Sequence, residues 1–324
     1  SNTTGFAPYQ YTLAGTYIAE LVVTDANSCK DSTTRTITVL QGADPTFIVN
    51  PVCVGNTTVL DASINGLGSD NDRWYWDFGN NGVIDIGPNG VINANDSIVS
   101  NIFGYSDSVE LRVERDIGGA TCTDSLVKFV TIWNLPNPNF NAGITCFGDT
   151  TTLINTSSPG APSSLGATSN PIINWFWNFG DPAAGTDSVQ NSFVFEDGIH
   201  IYSDTGWFMV TLIATDNKQC KDTLQDSIYV KQSPEASYVA NPACDGEAIY
   251  YTNTSPNLWN IDSVLWTTVE PIDSFVNGTN PGSQSIAVIF SGPGNKYTQL
   301  IVRDTDGCFS PMFDTVVSVY TNPS

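Results

Sequence analysis

The stretch Phe208-Met209-Val210-Thr211-Leu212-Ile213-Ala214-Thr215-Asp216, with Cys220 four residues further on, decides how this chain is read. It recurs. Tyr17-Ile18-Ala19-Glu20-Leu21-Val22-Val23-Thr24-Asp25 stands four residues before Cys29, and Leu300-Ile301-Val302-Arg303-Asp304 four before Cys308. Val109-Glu110-Leu111-Arg112-Val113 leads through a small insertion to Asp116 and Cys122. In that copy Val109, Leu111 and Val113 fall on one side of a pleated strand, and Glu110, Arg112 and Glu114 on the other. On a helix the same residues would be smeared around the axis. The four cysteines are spaced by 93, 98 and 88 residues, the length of one β-sandwich per repeat.

A second series marks the front half of each repeat. Cys53-Val54-Gly55-Asn56-Thr57, Cys146-Phe147-Gly148-Asp149-Thr150 and Cys244-Asp245-Gly246-Glu247-Ala248 share one pattern. Each follows a Pro-bearing linker, around Pro45, around Pro136 and Pro138, or around Pro234. Downstream come Trp74-Tyr75-Trp76-Asp77-Phe78-Gly79 and Trp175-Phe176-Trp177-Asn178-Phe179-Gly180, while Val264-Leu265-Trp266 keeps a single Trp. The expected organisation is residues 1–40 as the C-terminal half of one domain, then domains at 41–133, 134–231 and 232–324. The last of these carries the start of another linker at Tyr320-Thr321-Asn322-Pro323-Ser324. Short Pro-rich joints predict domains strung end to end as a rod.

Composition agrees with an all-β chain. There are 35 Thr, 30 Asn, 26 Asp and 27 Gly, against 7 Glu, 6 Lys and 2 Met. Thr sits well on a pleated surface, Asn, Asp and Gly favour turns, and the scarce types are the good helix formers. Aromatic residues at 11 % are too many for a disordered chain. A net charge of −22 leaves nothing to neutralise phosphates, which excludes nucleic acid as a partner, and no apolar run is long enough to cross a bilayer.

Seven cysteines are explained by the repeat. Pairing within units gives Cys53–Cys122, Cys146–Cys220 and Cys244–Cys308, with Cys29 left over because its partner half is missing. Loops of that size contribute about 4 kcal/mol each in the chain-entropy treatment. There is no C-x-x-C pair and only one His, so the cysteines point to disulfides and an oxidising, extracellular setting rather than to zinc.

Trp76-Asp77-Phe78-Gly79, and Tyr202-Ser203-Asp204-Thr205-Gly206-Trp207 followed by Val210-Thr211-Leu212 and Thr215-Asp216, resemble PKD (polycystic kidney disease) domains. Tyr11-Thr12-Leu13-Ala14-Gly15-Thr16-Tyr17 matches the same Tyr-x-x-x-Gly-x-Tyr strand entry, whereas the last unit departs at Thr267-Thr268 and Asn295-Lys296-Tyr297. The resemblance implies tandem Ig-like sandwiches with an extracellular role as spacer, adhesin or accessory module, and no catalytic residues. Its topology is expected to bring the start of each unit near its last hairpin, with the paired cysteines within about 7 Å in Cα separation. Arrays with these Cys-x-Gly and Thr-Asp-x-x-x-Cys signatures are similar to those of large Bacteroidota cell-surface or gliding-motility adhesins. The O-glycosylation triplet associated with that phylum (Asp, then Ser or Thr, then Ala, Ile, Leu, Met, Thr or Val) falls at Ser32, Ser97, Ser108, Ser125, Thr150, Ser188, Thr223, Ser227, Ser263 and Thr315. Composition alone would give about two such triplets. The competing reading is that Asp-Ser-Val simply opens strands after turns.

Signs of catalysis are few. Any Ser-His-Asp or Cys-His system must use His200, which is read as a surface loop residue, and no Gly-x-Ser-x-Gly elbow exists. Asp77, Asn80, Asn81 and Asp85 surround a Gly-bearing turn somewhat like the start of a Ca²⁺ loop, although an Asn-Asn-Gly hairpin turn is simpler. Trp74 and Trp175 are read as core in preference to an exposed sugar-stacking platform. The expectation is a non-catalytic extracellular repeat segment, the structural rod or adhesive shaft of a large surface or filament protein. Its partners would be further repeats of the same polypeptide and surface glycans or matrix proteins. The rival reading is a polysaccharide- or protein-binding accessory module of a secreted hydrolase, which several Trp rings aligned on one exposed face would favour. Both ends fall in repeat register, so the chain is expected to be a window on a longer polypeptide. Completion of residues 1–40 by strand addition from a neighbour is the alternative.

Overall fold

The computed structural model describes residues 8–63, 72–86, 97–162 and 169–323. Two compact units emerge, one of residues 1–135 with 161–169 and the other of residues 136–160 with 170–324. Both are built from strands.

The first unit opens with a hairpin, Gly15–Thr24 against Lys30–Val39, paired without a break from Gly15 opposite Val39 to Thr24 opposite Lys30. Among its strand residues only Tyr17, Ala19 and Val39 are half-buried, and Leu21 and Val23 stand exposed. A two-stranded ribbon has no second layer in which to bury an apolar face.

A sandwich follows in the same unit. One sheet joins Ile48–Val49, Thr57–Asp61 and Ile98–Ile102, and the other joins Asp72–Phe78, Asp107–Ile117 and Ala120–Val130. Alternation along the strands builds the core. Trp74, Trp76, Val109, Leu111 and Val113 point inward onto Phe47, Leu60 and Val130, all essentially buried. The outward residues Arg73, Tyr75, Arg112 and Glu114 form a polar lattice across neighbouring strands, with Arg112 stacked 4.3 Å over the Tyr75 ring. At the strand end Arg115 grips buried Asp72 through two bonds of 2.7 and 3.0 Å.

The second unit contains two sandwiches in sequence. The earlier one sets Phe140–Ala142, Thr151–Asn155 and Gly198–His200 against a sheet ordered Val189–Ser192, Ile172–Asn178, Gly206–Asp216, Lys221–Val230. Its core gathers Phe140, Leu153, Trp175, Trp177, Phe179, Val210, Leu212 and Val230. Gly198 is required here, because a Cβ at that position would sit 2.9 Å from the Trp177 ring. The later sandwich sets Tyr238–Ala240, Ile249–Asn253, Ile286–Phe290 and Ile272–Phe275 against Ala243–Cys244, Phe313–Tyr320, Gly294–Asp304 and Ile261–Thr268. Tyr238, Tyr251, Trp266, Val288, Leu300 and Val302 fill it.

All three sandwiches share one topological device. The first strand leaves its sheet and crosses to the other, where a short piece runs parallel to the last strand. Val52–Cys53 pairs with Ile132–Trp133, Cys146 bridges Lys231, and Ala243–Cys244 pairs with Val319–Tyr320. This strand switch, with one sheet of each sandwich built around the last hairpin, is the Ig-like arrangement. The chain is an all-β tandem of Ig-like modules.

Candidate functional site at a module junction

The strand switch determines where the cysteines lie. Running parallel to the last strand, the early cysteine reaches that strand's C-terminal end, so Cys53 faces Trp133, Cys146 faces Lys231 and Cys244 faces Tyr320. The late cysteine follows the hairpin turn at the last strand's beginning, where Asp216 leads to Cys220 and Asp304 to Cys308. Some eleven residues of extended chain separate the two positions, which is about 35 Å. A disulfide tolerates at most about 7 Å between Cα atoms. The within-unit pairs Cys53–Cys122, Cys146–Cys220 and Cys244–Cys308 are therefore not formed.

Cys146 instead bonds to Cys308 of the following module, with Cα atoms 5.6 Å apart and 162 residues between them in sequence. Cys53 and Cys220 are also disulfide-bonded, whereas Cys29, Cys122 and Cys244 are thiols. Equal cysteine counts per repeat do not reveal which pole each occupies. That information lies in the long-range pairing of the switched strand.

The junction around Cys146–Cys308 is built from both modules. Lys231 ends the last strand of one, with its amide donating to Thr145 O and its carbonyl accepting from Phe147 N, each at 2.8 Å. Its ammonium reaches 2.8 Å to Asp306 Oδ1 of the next module. Ser233 Oγ, in the linker, donates to Phe147 O at 2.7 Å. On the far side the Asp304 carboxylate accepts from Cys308 N at 2.8 Å, and Asp304 N donates to Cys308 O at 3.0 Å, which closes the turn that presents the sulfur. Gly307, at φ +96°, lets that turn approach closely, since a Cβ there would press 3.1 Å from Ile144 Cδ1. An open cleft of about 570 Å³ runs beside the joint, between Lys231, Pro234, Asn257, Asn260 and Asp306.

His200, expected at the surface, is buried at the end of the strand Gly198–His200. Its ring stacks on Phe179 at 4.6 Å, meets Tyr202 edge-on at 4.5 Å and places Nε2 3.0 Å from Asp181 Oδ2. Ser203 also turns to Asp181, donating from its amide at 2.8 Å and from Oγ at 2.5 Å. These are the residue types of a Ser-His-Asp relay in the wrong order, because Ser203 spends its proton on the aspartate and not on the histidine. Burial works against the Asp181 charge, but the two bonds from Ser203 and the one with His200 outweigh it and hold the carboxyl below the usual range. Burial, with the Asp181 charge nearby, pushes the Tyr202 phenol upward. The cluster is a polar knot inside the second sandwich.

The calcium candidate is a turn in which three of these side chains accept backbone amides. Asp77 accepts from Asn81 N at 3.1 Å and Gly82 N at 2.7 Å, Asp85 accepts from Phe78 N at 2.6 Å, and Asn81 Oδ1 accepts from Val83 N at 2.8 Å. Asn80 takes the left-handed conformation of a hairpin turn. Among the described residues no three His, Cys, Asp or Glu side chains gather as a metal site.

Of the glycosylation candidates, Ser32, Ser125, Thr150, Thr223, Ser227 and Ser263 are exposed, and Ser108, Ser188 and Thr315 are half-buried. Ser97 is buried and closed to a transferase. At Ser32, Ser108, Ser125, Thr223 and Ser227 the preceding aspartate accepts the residue's own amide proton at 2.7–2.9 Å, so the triplet also has a local structural use. Trp74 and Trp175 are core residues. Trp207 and Trp259 are the exposed ones, and Trp207 lies 5.2 Å from the Tyr229 ring at an angle of 58°.

No family model matches the chain, and no curated protein matches it. Solved structures similar to it are strings of modules. The three N-terminal domains of the bacteriophage RB49 Hoc capsid protein match at 9% identity, covering 86% of this chain and 100% of that one, with a TM-score of 0.39. The ICAM-5 D1–D4 ectodomain fragment matches at 10% identity, covering 95% and 84%, with a TM-score of 0.31. Fibronectin(III)-like modules of Clostridium thermocellum CbhA match at 12% identity, covering 57% and 94%, with a TM-score of 0.27. Scores this low decide neither ligand nor role.

Proposed function

We propose that the chain is a non-catalytic, load-bearing stretch of an extracellular protein, a PKD-type repeat array that serves as the shaft of a surface or filament adhesin. The observation that carries this reading is the Cys146–Cys308 bond between consecutive modules. A bond within a module protects that module, whereas a bond across a joint restrains bending and passes tension from one module to the next. The Lys231–Asp306 pair and the Ser233-held linker act on the same joint. Such bonds persist in oxidising settings and are rare in the cytosol, which supports an extracellular place. The acidic surface, with a net charge of −22, keeps neighbouring chains apart in solution. Small-angle scattering of the oxidised and reduced chain tests the reading. Reduction should broaden the distribution of maximum dimensions without loss of strand content, and an unchanged distribution would remove the mechanical role.

A second reading rests on the exposed Trp207–Tyr229 pair, which offers ring faces to a polysaccharide as in accessory modules of secreted hydrolases. The tilt between the rings denies a glycan one flat platform, so the array reading is preferred. Affinity electrophoresis against soluble glucans and mannans, with Trp207→Ala as control, separates the two.

A further inference from the structure

The early cysteines occupy one repeated frame. The amide after each donates to the last strand at 2.8 Å, from Val54 N to Trp133 O, Phe147 N to Lys231 O and Asp245 N to Tyr320 O. Each is followed by a glycine at nearly the same φ, +84° at Gly55, +86° at Gly148 and +84° at Gly246. Of these three frames, two hold a disulfide-bonded sulfur, and the third holds the Cys244 thiol.

The late cysteines share a second frame. The aspartate four residues back accepts the cysteine amide at 2.9 Å in Asp25–Cys29, 2.9 Å in Asp216–Cys220 and 2.8 Å in Asp304–Cys308. Cys220 and Cys308 are disulfide-bonded, and Cys29 is an exposed thiol.

The linkers repeat as well. Ser233, one residue before Pro234, donates to Phe147 O at 2.7 Å, and Asn322, one residue before Pro323, donates to Asp245 O at 3.1 Å. The chain leaving the third module is thus anchored at the position that anchors the third module to the second.

We infer that Cys244 is the socket of a further inter-module staple, and that its occupant is the Asp-x-x-x-Cys turn of another module of this kind, seated on the third module as the third is seated on the second. The inference rests on the array reading above and gives it a direction, from the trailing end of one module to the leading turn of the next. Chemically the step is thiol–disulfide exchange. The incoming cysteine arrives as a mixed disulfide with a small thiol such as glutathione. The Cys244 thiolate attacks its sulfur, the new S–S bond forms as the old one breaks, and the small thiolate leaves and takes up a proton.

To test this, the full chain is extended after Pro323 by a second copy of residues 235–323 and refolded with reduced and oxidised glutathione. Non-reducing tryptic mapping should find Cys244 bonded to the added copy of Cys308, alongside the native Cys146–Cys308 bond. The two copies of Cys308 lie in tryptic peptides of different length. Changing the added copy of Cys308 to Ser should return Cys244 to an alkylatable thiol. A Cys244 that stays alkylatable in the extended chain, or that bonds elsewhere, overturns the proposal. If Cys146–Cys308 is intact in that sample, the array reading survives. Should the extension fail to fold, a copy of residues 138–231 replaces it, with Cys244 expected on the added copy of Cys220, and a reactive Cys244 there overturns the proposal equally.

Discussion

Cys308→Ser tests how the staple stabilises the third module. In the folded second module Cys146 is held beside Lys231 by the hydrogen bonds on either side of it. When the third module unfolds alone, the bond therefore closes the chain between Lys231 and Cys308, a loop of about 77 residues, and not the full span of 162. Such a loop is worth about 4.5 kcal/mol in the chain-entropy treatment, through the expansion it denies the unfolded chain. Removing it should raise the opening equilibrium of the third module by roughly three orders of magnitude. Hydrogen exchange on the core strands Ile286–Phe290 and Gly294–Asp304 reads that equilibrium directly. Cys146→Ser should produce the same loss in the third module, and the double variant should be no worse than either single one, because all three remove one bond. Two results would refute the reasoning. One is unchanged protection. The other is a loss in Cys308→Ser that Cys146→Ser does not reproduce, which would trace the effect to packing around the buried Cys308.

Further outcomes follow from the other sites. Asp181→Asn should cost the second module about 2 kcal/mol in urea unfolding, since it weakens charge-assisted bonds to buried His200 and Ser203. The Asp181 carboxyl titrates below its unfolded value, so its contribution is complete above the ordinary carboxylate pKa near 4 and is lost as pH falls through the lower folded value. Acid unfolding of Asp181→Asn should lack that part of the slope, and identical acid profiles would count against the assignment. Gly198→Ala should destabilise the second module by about 1–3 kcal/mol through overlap with Trp177, and a melting temperature within error of the parent would contradict it. Chelation should leave the first module's melting temperature unchanged, because main-chain amides already bond to both Asp77 oxygens and to Asp85 Oδ2, and a drop in EDTA reversed by Ca²⁺ would favour the metal reading. Peptide mapping of chain from its natural source should find glycan on some of the six exposed Ser and Thr positions and none on Ser97, whose modification would break the burial argument.

Most of the fold is legible along the chain because its causes are local. Alternation in Val109–Val113 and around Trp74–Trp76 marks an inward face whatever the strand pairs with, and those residues do fill the first core. Cysteine pairing is different, since it depends on which pole of the sandwich each sulfur reaches. A two-residue parallel contact such as Cys146 beside Lys231, 85 positions away, sets that pole and leaves no periodic trace. His200 lies in the core and not at the surface for a related reason. The Asp181 and Ser203 that hold it are ordinary polar residues of loops, and only folding brings the three onto one buried site. The Asp77 turn carries ligand types that also cap backbone amides, and the Asn81 and Gly82 amides both bond to its carboxylate.

The Cys146–Cys308 bond encloses the whole linker that joins the second and third modules. Linkers are where proteases cut, because the backbone there is least protected by sheet pairing. A nick at Gln232–Glu235 would divide the polypeptide, yet both fragments would remain one covalent molecule, each gripping the other through a sulfur bridge on the far side of the break. On a gel such a cut would be invisible until a reductant was added. A polypeptide bridged in this way would lose no piece to a cut at that linker, even in a protease-rich environment.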